Sequence, residues 1–336
     1  MKLYHIGILG ATGAVGREML KILEEYHFPV GELRLLASKR SVGKTILFQG
    51  KEYPIEEATH QSFKGLDFVL GAASNAVAKE FKESILASHA VFIDNSSAFR
   101  MDPEVPLVVP EINGEDVFQH KGIIANPNCS TILTMLAVYA IHKISPIESM
   151  IVSTYQATSG AGAQGPIELK SQMEALCKGE PVEVEVFQHQ IAENVIPHIG
   201  SFLENGYSTE EMKMQNEGRK ILHQPDLKVS CTCVRVPVVR SHSISVEVLT
   251  KNKIDVAAAK LAISKEKGCK LYDDPQNKIY PIPILTSDQD LVYVGRIRQS
   301  LVFENGITLW CSGDQIRKGA ATNAVQIMMK LIGLEY

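Results

Sequence analysis

The chain has 336 residues, of which 45% are hydrophobic and 21% are charged, with 34 basic and 38 acidic side chains. That length exceeds one ordinary hydrophobic core, so we expect a globular protein of two domains. The net charge of −4 gives no reason to expect binding to nucleic acid or to an anionic membrane, and no apolar run approaches the ~20 residues of a membrane-spanning helix.

The cysteines and the start of the chain indicate a cytoplasmic protein with reduced thiols. The six cysteines are scattered, which argues against a disulfide framework. Cys231 and Cys233 have the wrong spacing for a zinc site, and in a strand they point to one face, where we expect packing. The first residues enter a strand and a glycine turn directly, without the layout of a signal peptide. No metal site is expected.

The first predicted unit is a strand over residues 6–9, a glycine turn over residues 10–16, and a helix from Arg17. A strand, a glycine turn and a helix in this order are typical of a dinucleotide-binding fold, although the spacing here is G-x-x-G-x-x-G. Small residues let the backbone approach a pyrophosphate at the helix start. The residues expected there are Gly10, Thr12, Gly13, Ala14 and Val15.

The second predicted strand, residues 33–38, ends without an acidic residue. NAD-binding folds usually carry Asp or Glu at this point for the ribose hydroxyl. The segment that follows is instead basic and hydroxylated, which favours the 2′-phosphate of NADP. The expected ligands are Ser38, Arg40 and Ser41, and a solvated basic loop is the alternative.

Two further buried strands, at residues 67–73 and 90–97, complete the prediction of an open parallel sheet of the Rossmann type. Ligands of such sheets collect outside the carboxyl ends of the strands. Arg100 follows one of these ends closely, so we expect it to reach an anion there.

Cys129 lies on a turn, residues 126–131, that leads into an apolar helix. At a helix N-terminus the free N–H groups and the dipole favour thiolate over thiol. The same N–H groups can bind an oxyanion formed when the thiolate attacks a carbonyl. The sequence therefore suggests a nucleophile, and the alternative is a cysteine packed as a small hydrophobe.

Alternating polar and apolar residues dominate the chain after residue 150. They predict strands at residues 150–156, 229–236, 242–248 and 299–309, in a largely antiparallel sheet with one buried face. A second subunit is a candidate to cover the other face. Residues 315–334 have apolar positions at helical spacing and predict a final helix.

Five ordered blocks, read together, resemble the aspartate-β-semialdehyde dehydrogenase family over essentially the full length of the chain. The blocks are residues 10–16, 126–131, 154–162, 235–242 and 317–323. The resemblance implies an N-terminal Rossmann-type NADP-binding domain of residues 1–127, to which a C-terminal helix of residues 315–336 returns. It implies an α+β catalytic and dimerisation domain, with a mostly antiparallel sheet, at residues 128–314.

The resemblance also implies an activity. The family reduces L-aspartyl-4-phosphate with NADPH and releases phosphate and L-aspartate-4-semialdehyde, through an acyl thioester on a cysteine. The implied pathways are the biosynthesis of lysine, threonine, methionine and diaminopimelate. The implied assembly is a homodimer, or a dimer of dimers.

The resemblance assigns catalytic roles by matching position. Cys129 is the nucleophile and His242 the acid/base. Arg235 clamps the substrate α-carboxylate, because the family spacing selects it over Arg240. Glu210 holds the substrate amino group; Glu211 is the alternative if the register is off by one, and an ordinary solvated ion pair with Lys213 is the alternative role.

Other positions are assigned to the acyl group, the phosphate and the cofactor. Gln156 orients the acyl oxygen, and Asn128 assists the phosphate or the oxyanion. Arg100 and Lys213 bind phosphate. Ser159, Gly160 and Gln315 approach the nicotinamide, although the family often has Asn in place of Gln315.

Three alternatives stay open. N-acetyl-γ-glutamyl-phosphate reductases share the acyl-phosphate chemistry, but they usually show Asn-Pro-Gly-Cys where this chain has Asn-Pro-Asn-Cys. Their N-acylated substrate has no amine for Glu210. A phosphorylating sugar-aldehyde dehydrogenase would do related chemistry, and a catalytically dead NADP-binding paralogue is the alternative from a different functional class.

Overall fold

The computed structural model describes residues 2–336. Their internal contacts form two compact units, one of residues up to 128 together with 320–336 and the other of residues 129–319. The assignment of cofactor binding to one part and catalysis to the other stays a prediction. Within residues 2–336, no helix combines the length and the apolar character that crossing a membrane requires.

Both units contain strands and helices, whose bounds are as follows. The strands are β1 (Tyr4–Leu9), β2 (Val30–Ala37), β3 (Thr45–Phe48), β4 (Lys51–Glu57), β5 (Phe68–Gly71), β6 (Val91–Asp94), β7 (Ile123–Ala125), β8 (Ile147–Gln156), β9 (Lys228–Arg235), β10 (His242–Thr250), β11 (Cys269–Leu271), β12 (Val292–Gln299) and β13 (Gly306–Gly313). The helices are α1 (Ala14–Glu25), α2 (Asn75–Ala87), α3 (Pro110–Asn113), α4 (Cys129–Ile144), α5 (Gln164–Lys178), α6 (Thr209–Ile221), α7 (Val256–Ser264), α8 (Pro283–Thr286) and α9 (Thr322–Leu331).

The first unit contains a seven-stranded sheet in the order β3-β4-β2-β1-β5-β6-β7. All pairings are parallel except the one between β3 and β4. From β1 the chain adds β2 and β4 on one side of the sheet, and it then adds β5, β6 and β7 on the other side. The carboxyl ends of β1 and β5 therefore form the topological switch point, at which such sheets bind ligands. The predicted Rossmann-type domain is confirmed.

Helices cover this sheet through apolar faces. The buried side of α1 carries Met19, Leu20, Ile22 and Leu23, and their spacing places them on one face of the helix. The C-terminal helix α9 packs against α1 and contributes its own apolar side chains to the same core. The last residues of the chain therefore belong to the first unit.

The second unit contains a six-stranded sheet in the order β11-β12-β13-β10-β8-β9. The pairings in the middle are antiparallel, whereas β11–β12 and β8–β9 are parallel. The helix α4, which is almost wholly apolar, packs against β10, β12 and β13. The parallel pair β8–β9 places two strand carboxyl ends at the same edge.

One predicted strand is wrong. Residues 299–309 do not form a single strand, because β12 ends at Gln299 and β13 begins at Gly306. Leu301 and Val302 lie in the connecting turn, where Leu301 is fully exposed and Val302 is mostly exposed. Apolar side chains in a hairpin turn continued the alternating pattern of the flanking strands, so the pattern alone did not reveal the reversal.

Candidate active site

Cys129 begins α4, as predicted, and the residue is partly exposed. The first turn of a helix favours a thiolate at this position. A Cβ added to Gly319 would lie 2.9 Å from Cβ of Cys129, so glycine is needed for the two segments to approach. The thiol is therefore fixed at the helix start.

Gln156 and Arg235 end the parallel strands β8 and β9 and stand opposite each other in register. Both side chains are buried, and the guanidinium carbon of Arg235 lies 5.9 Å from the ring centre of Phe187. Burial lowers the pKa of Arg235, whereas nearby Cys129 and Glu210 oppose that shift. A buried guanidinium can bind an anion, and the predicted role of Arg235 toward a substrate carboxylate stays a prediction.

The peptide of Ala157 connects Arg235 to His242. Its C=O accepts a hydrogen bond from Nη1 of Arg235 at 2.7 Å, and its N–H donates to Nδ1 of His242 at 3.0 Å. His242 begins β10 and is fully buried. Burial and then the charge of Arg235 lower the pKa of His242 to about 3, while Glu210 acts in the other direction.

Gly160 lies directly against the same two side chains. A Cβ at this position would be 2.7 Å from Nη1 of Arg235 and 3.0 Å from Cε1 of His242. The first distance is shorter than real Cβ contacts and the second is tight, so a larger residue would force Arg235 to shift and would press on His242. The glycine keeps the space in front of them open.

Glu210 occupies the centre of a second set of contacts. Its Oε1 accepts from Nε2 of Gln156 at 3.3 Å, and its Oε2 accepts from Nζ of Lys213 at 2.8 Å. The Oγ1 of Thr154 donates to Oε1 of Gln156 at 3.0 Å, which fixes the orientation of that amide. The acid, the lysine and the amide therefore lie together, and their predicted roles toward a substrate stay predictions.

Glu211 has a different task. Its carboxylate accepts from the N–H of Ser208 at 2.7 Å, and Ser208 accepts from the N–H of Glu211, so the two form a capping box at the start of α6. The other carboxylate oxygen accepts from the N–H of Cys233 at 2.9 Å. Both oxygens serve the backbone, which favours Glu210 over Glu211 as the acid that faces the site.

Arg240 is held away from the position of Arg235. Its Nε donates to Oδ2 of Asp314 at 2.6 Å, and its Nη1 lies 3.0 Å from Oδ1 of Asp288. Two acidic partners thus account for the charge of Arg240. Arg235 is the arginine that shares a backbone peptide with His242.

Gln315 joins two segments that flank His242. Its Oε1 accepts from the N–H of Ser241 at 2.9 Å, and its Nε2 donates to Oγ of Ser159. Ser241 precedes His242 and has a φ of 73°, a conformation that serine rarely adopts. Gln315 and Ser159 support this backbone, and their predicted approach to a nicotinamide stays a prediction.

Arg100 and Asn128 belong to the first unit. The guanidinium of Arg100 is buried and donates to the C=O of Asn126 at 2.9 Å and to the C=O of Asn95 at 2.7 Å. Asn128 is also buried. Their predicted contacts with phosphate and oxyanion stay predictions.

The glycine turn of the first unit has the geometry that a pyrophosphate needs. Gly10 has a φ of 94°, and a Cβ there would lie 2.5 Å from the C=O oxygen of Ala72. The N–H of Gly13 donates to the C=O of Gly10 at 3.1 Å, and Gly13 caps α1 without any side-chain hydrogen bond. The first turn of α1, with Ala14 and Val15 partly exposed after Thr12, therefore keeps backbone N–H groups for a phosphate.

The segment after β2 fits a second phosphate. Ser38 and Arg40 are exposed and Ser41 is partly exposed, around a single turn of 3₁₀ helix at Lys39–Ser41. Residues 38–44 contain three basic side chains and no acid. The residues present therefore fit a dinucleotide with a 2′-phosphate.

Sequence reasoning missed Ala157 and Thr154. Ala157 acts only through its backbone, so no side-chain pattern indicates it. Thr154 and Gln156 are two residues apart on β8, and the period of a strand places both on one face. That spacing was the signal that would have identified Thr154 as a partner of Gln156.

Two family models match the chain. The model described as "Semialdehyde dehydrogenase, NAD binding domain" matches residues 5–120, and the one described as "Semialdehyde dehydrogenase, dimerisation domain" matches residues 139–318. Together they cover most of both structural units.

Whole-chain relatives agree with these models. The aspartate-semialdehyde dehydrogenase of Aquifex aeolicus is 50% identical over 333 residues, which cover 98% of each chain. The crystal structure of aspartate semialdehyde dehydrogenase II from Vibrio cholerae, complexed with ASA, is 40% identical, covers 100% of each chain and has a TM-score of 0.97. The Candida albicans enzyme, solved with NADP, shares the fold at 24% identity and a TM-score of 0.78, over 98% of this chain and 99% of that chain. The chain therefore belongs to the aspartate-semialdehyde dehydrogenase family.

Proposed function

We propose that the chain reduces L-aspartyl-4-phosphate with NADPH to L-aspartate-4-semialdehyde and phosphate, through an acyl thioester on Cys129. The observation that carries the proposal is the grouping of Arg235, His242, Gln156 and Glu210 around the carboxyl ends of β8 and β9, with the Cys129 thiol close enough to act on the charge of Arg235. We place the reaction in lysine, threonine, methionine and diaminopimelate biosynthesis.

The charges of this site suit an amino-acid substrate. The guanidinium of Arg235 binds a carboxylate through two parallel hydrogen bonds. Glu210 offers a carboxylate to an ammonium group. An N-acylated substrate has no such group, so Glu210 favours aspartyl phosphate over an acetyl-glutamyl phosphate.

The thiolate of Cys129 attacks the acyl carbon, and the bond to the phosphate oxygen breaks. The resulting thioester accepts a hydride more readily than a carboxylate does. NADPH, when bound, would supply that hydride, and the carbon–sulfur bond would then break to release the aldehyde and return the thiolate to Cys129. Gln156 orients the acyl oxygen, and Lys213, Arg100 and Asn128 complete the set that we propose for the phosphate and the oxyanion.

The cofactor proposal rests on the glycine turn and the basic segment of the first unit. Gly10, Thr12, Gly13, Ala14 and Val15 would hold the pyrophosphate. Ser38, Arg40 and Ser41 would hold the 2′-phosphate, and Ser159, Gly160 and Gln315 are proposed for the nicotinamide end.

We also propose that the protein is a homodimer that uses the open face of the six-stranded sheet. Ile151 and Tyr155 on β8 are about half and more than one-third exposed, respectively, and the ring of Tyr155 packs against Trp310 on the same sheet. An exposed apolar sheet face of this kind is typical of a protein interface. The match of this unit to a dimerisation-domain model supports the proposal.

The reaction is tested in reverse, by following NADPH formation from L-aspartate semialdehyde, phosphate and NADP. Turnover should depend on phosphate and should be abolished in Cys129→Ala, because the thioester cannot form. Cys177→Ala removes an exposed thiol of the same unit and should leave the rate unchanged. Full activity in Cys129→Ala, or a preference for N-acetyl-L-glutamate semialdehyde, would contradict the proposal.

Cofactor choice is tested with Arg40→Gln. Loss of one charged contact to the 2′-phosphate should weaken NADPH binding by roughly tenfold and leave NADH binding nearly unchanged. Lys64→Gln removes an exposed charge elsewhere in the same unit and serves as the control. Equal effects of Arg40→Gln on both dinucleotides, measured by fluorescence titration, would rule out the 2′-phosphate role.

The interface is tested with Ile151→Lys and light scattering. The wild type should have twice the chain mass, and the variant should dissociate because a lysine would be desolvated at the centre of an apolar contact. Ile284→Lys is the control, since Ile284 is 86% exposed and lies outside this sheet. A wild type with the mass of one chain contradicts the dimer, and a dimeric Ile151→Lys contradicts the assigned face.

A further inference from the structure

A long irregular connection joins α5 to α6. Residues 179–208, all of which the structure describes, form no helix and no strand beyond isolated bridges. Connections of this length are uncommon inside compact domains, and those that occur usually carry a function. Residues 183–196 of this connection, which we call the strap, pack against α5 and against Arg235.

A buried carboxylate of α5 holds the first part of the strap. Glu168 is buried, and its Oε2 accepts from the N–H of Glu185 at 3.1 Å and from the N–H of Val186. Its Oε1 accepts from Nε2 of Gln172 at 3.1 Å. Hydrogen bonds to an ionised acceptor are stronger than those between neutral groups, so the carboxylate fixes this stretch of backbone to the helix.

A buried amide one helical turn further along α5 holds both ends of the strap. Oε1 of Gln172 accepts from the N–H of Ile191 at 2.9 Å and from the N–H of Ala192 at 3.0 Å. Its Nε2 donates to the C=O of Glu183 at 2.8 Å, as well as to Glu168. Both hydrogens and the oxygen of this amide are therefore used, and every one of these bonds serves the position of the strap.

The apolar side chains of the strap form a small cluster with α5, and Phe187 is its largest member. The buried residues of the cluster are Leu169, Phe187, Ile191, Ala192 and Ile196. The tip of the Phe187 ring lies against Gly165, where an added Cβ would be 3.2 Å from Cζ. The ring is therefore held from behind by the helix.

The strap contacts Arg235 through both backbone and side chain. The N–H of Ile196 donates to the C=O of Arg235 at 2.9 Å, and the N–H of Arg235 donates to the C=O of Ile196 at 2.8 Å. The ring centre of Phe187 lies 5.9 Å from the guanidinium carbon. A guanidinium is attracted to an aromatic face at this distance, so the ring and the cation support each other.

A carboxylate that binds through two parallel hydrogen bonds requires a guanidinium plane of fixed orientation. The C=O of Ala157 holds Nη1 of Arg235, but one hydrogen bond leaves the plane free to turn about it. The ring of Phe187 limits that rotation, because it occupies the space beside the guanidinium.

We propose that Phe187 is a positioning residue that fixes the guanidinium of Arg235 for a substrate carboxylate, and that the strap keeps the ring in place. The inference rests on the proposed function, because the carboxylate role of Arg235 comes from there. Phe187 then determines how tightly the substrate binds more than how fast the thiolate reacts.

Phe187→Leu is tested in the reverse reaction, with L-aspartate semialdehyde, phosphate and NADP. Leucine keeps the apolar packing and loses the ring, so KM for L-aspartate semialdehyde should rise roughly three- to tenfold, while kcat stays within about twofold. Partial unfolding would instead lower kcat and leave KM unchanged. Phe202→Leu changes an exposed ring of the same connection and should alter neither constant. An unchanged KM, or a loss confined to kcat, overturns the positioning role.

A second test needs no turnover, because it compares alkylation of Cys129 by iodoacetate, which carries a carboxylate, and by neutral iodoacetamide. The Cys177→Ala background removes an exposed thiol, and the peptide with Cys129 is followed by mass. The ratio of the two rates should fall by roughly threefold in Phe187→Leu, toward the value of Arg235→Ala. An unchanged ratio in Phe187→Leu overturns the proposal. A reduced ratio in a protein whose wild type has no turnover supports the positioning role and overturns the proposed function alone.

The part of the strap is tested with Glu168→Gln. The new NH₂ group would face N–H donors in place of a carboxylate oxygen, so hydrogen exchange of residues 185–192 should be faster and KM should rise at least about twofold. Glu174→Gln changes an exposed carboxylate of the same helix and is the matched control. Faster exchange with an unchanged KM overturns the role of the strap.

Discussion

The Ala157 peptide is the constraint on which the site depends. One C=O holds the guanidinium of Arg235 and one N–H holds the imidazole of His242, so a single rigid unit of backbone sets the distance between the cation and the imidazole. Backbone groups lose little conformational freedom when they bind, which makes them precise supports. The sheet edge formed by β8 and β9 in turn fixes the peptide, because Ala157 follows the last residue of β8 directly.

The site contains two buried charged side chains of opposite sign, Arg235 and Glu210. Each of them has a hydrogen-bonding partner in the protein. In the proposed function, their opposite signs would match the carboxylate and ammonium groups of the amino-acid substrate. Because Arg240 is held by Asp314 and Asp288, and Glu211 by a helix cap, the neighbouring charges of the same type do not compete.

The sequence predicted the features that depend on local residue patterns, and it did not predict the features that depend on contacts between residues far apart in the chain. The glycine turn and the helix that begins at Cys129 follow from spacing and capping, and the structure confirms both. The choice of Glu210 over Glu211 needed the capping box to Ser208, because adjacent residues on a helix look equivalent until their partners are known. The orientation of the His242 ring depends on a backbone N–H of Ala157, a residue far away in the chain, and no side-chain pattern encodes that contact. The hairpin turn at Leu301 was misread as strand because its apolar side chains continue the alternating pattern of the flanking strands, although they are exposed in the structure.

The central claim is that Cys129 carries the acyl group, and capture of the acyl-enzyme tests it most directly. Purified protein would be mixed with L-aspartate semialdehyde and NADP without phosphate, quenched in acid, and mapped by peptide mass. The account predicts that the peptide with Cys129 gains the mass of one aspartyl group, while the peptide with Cys177 is unchanged. An unmodified Cys129 in protein that forms NADPH once phosphate is added would contradict the account.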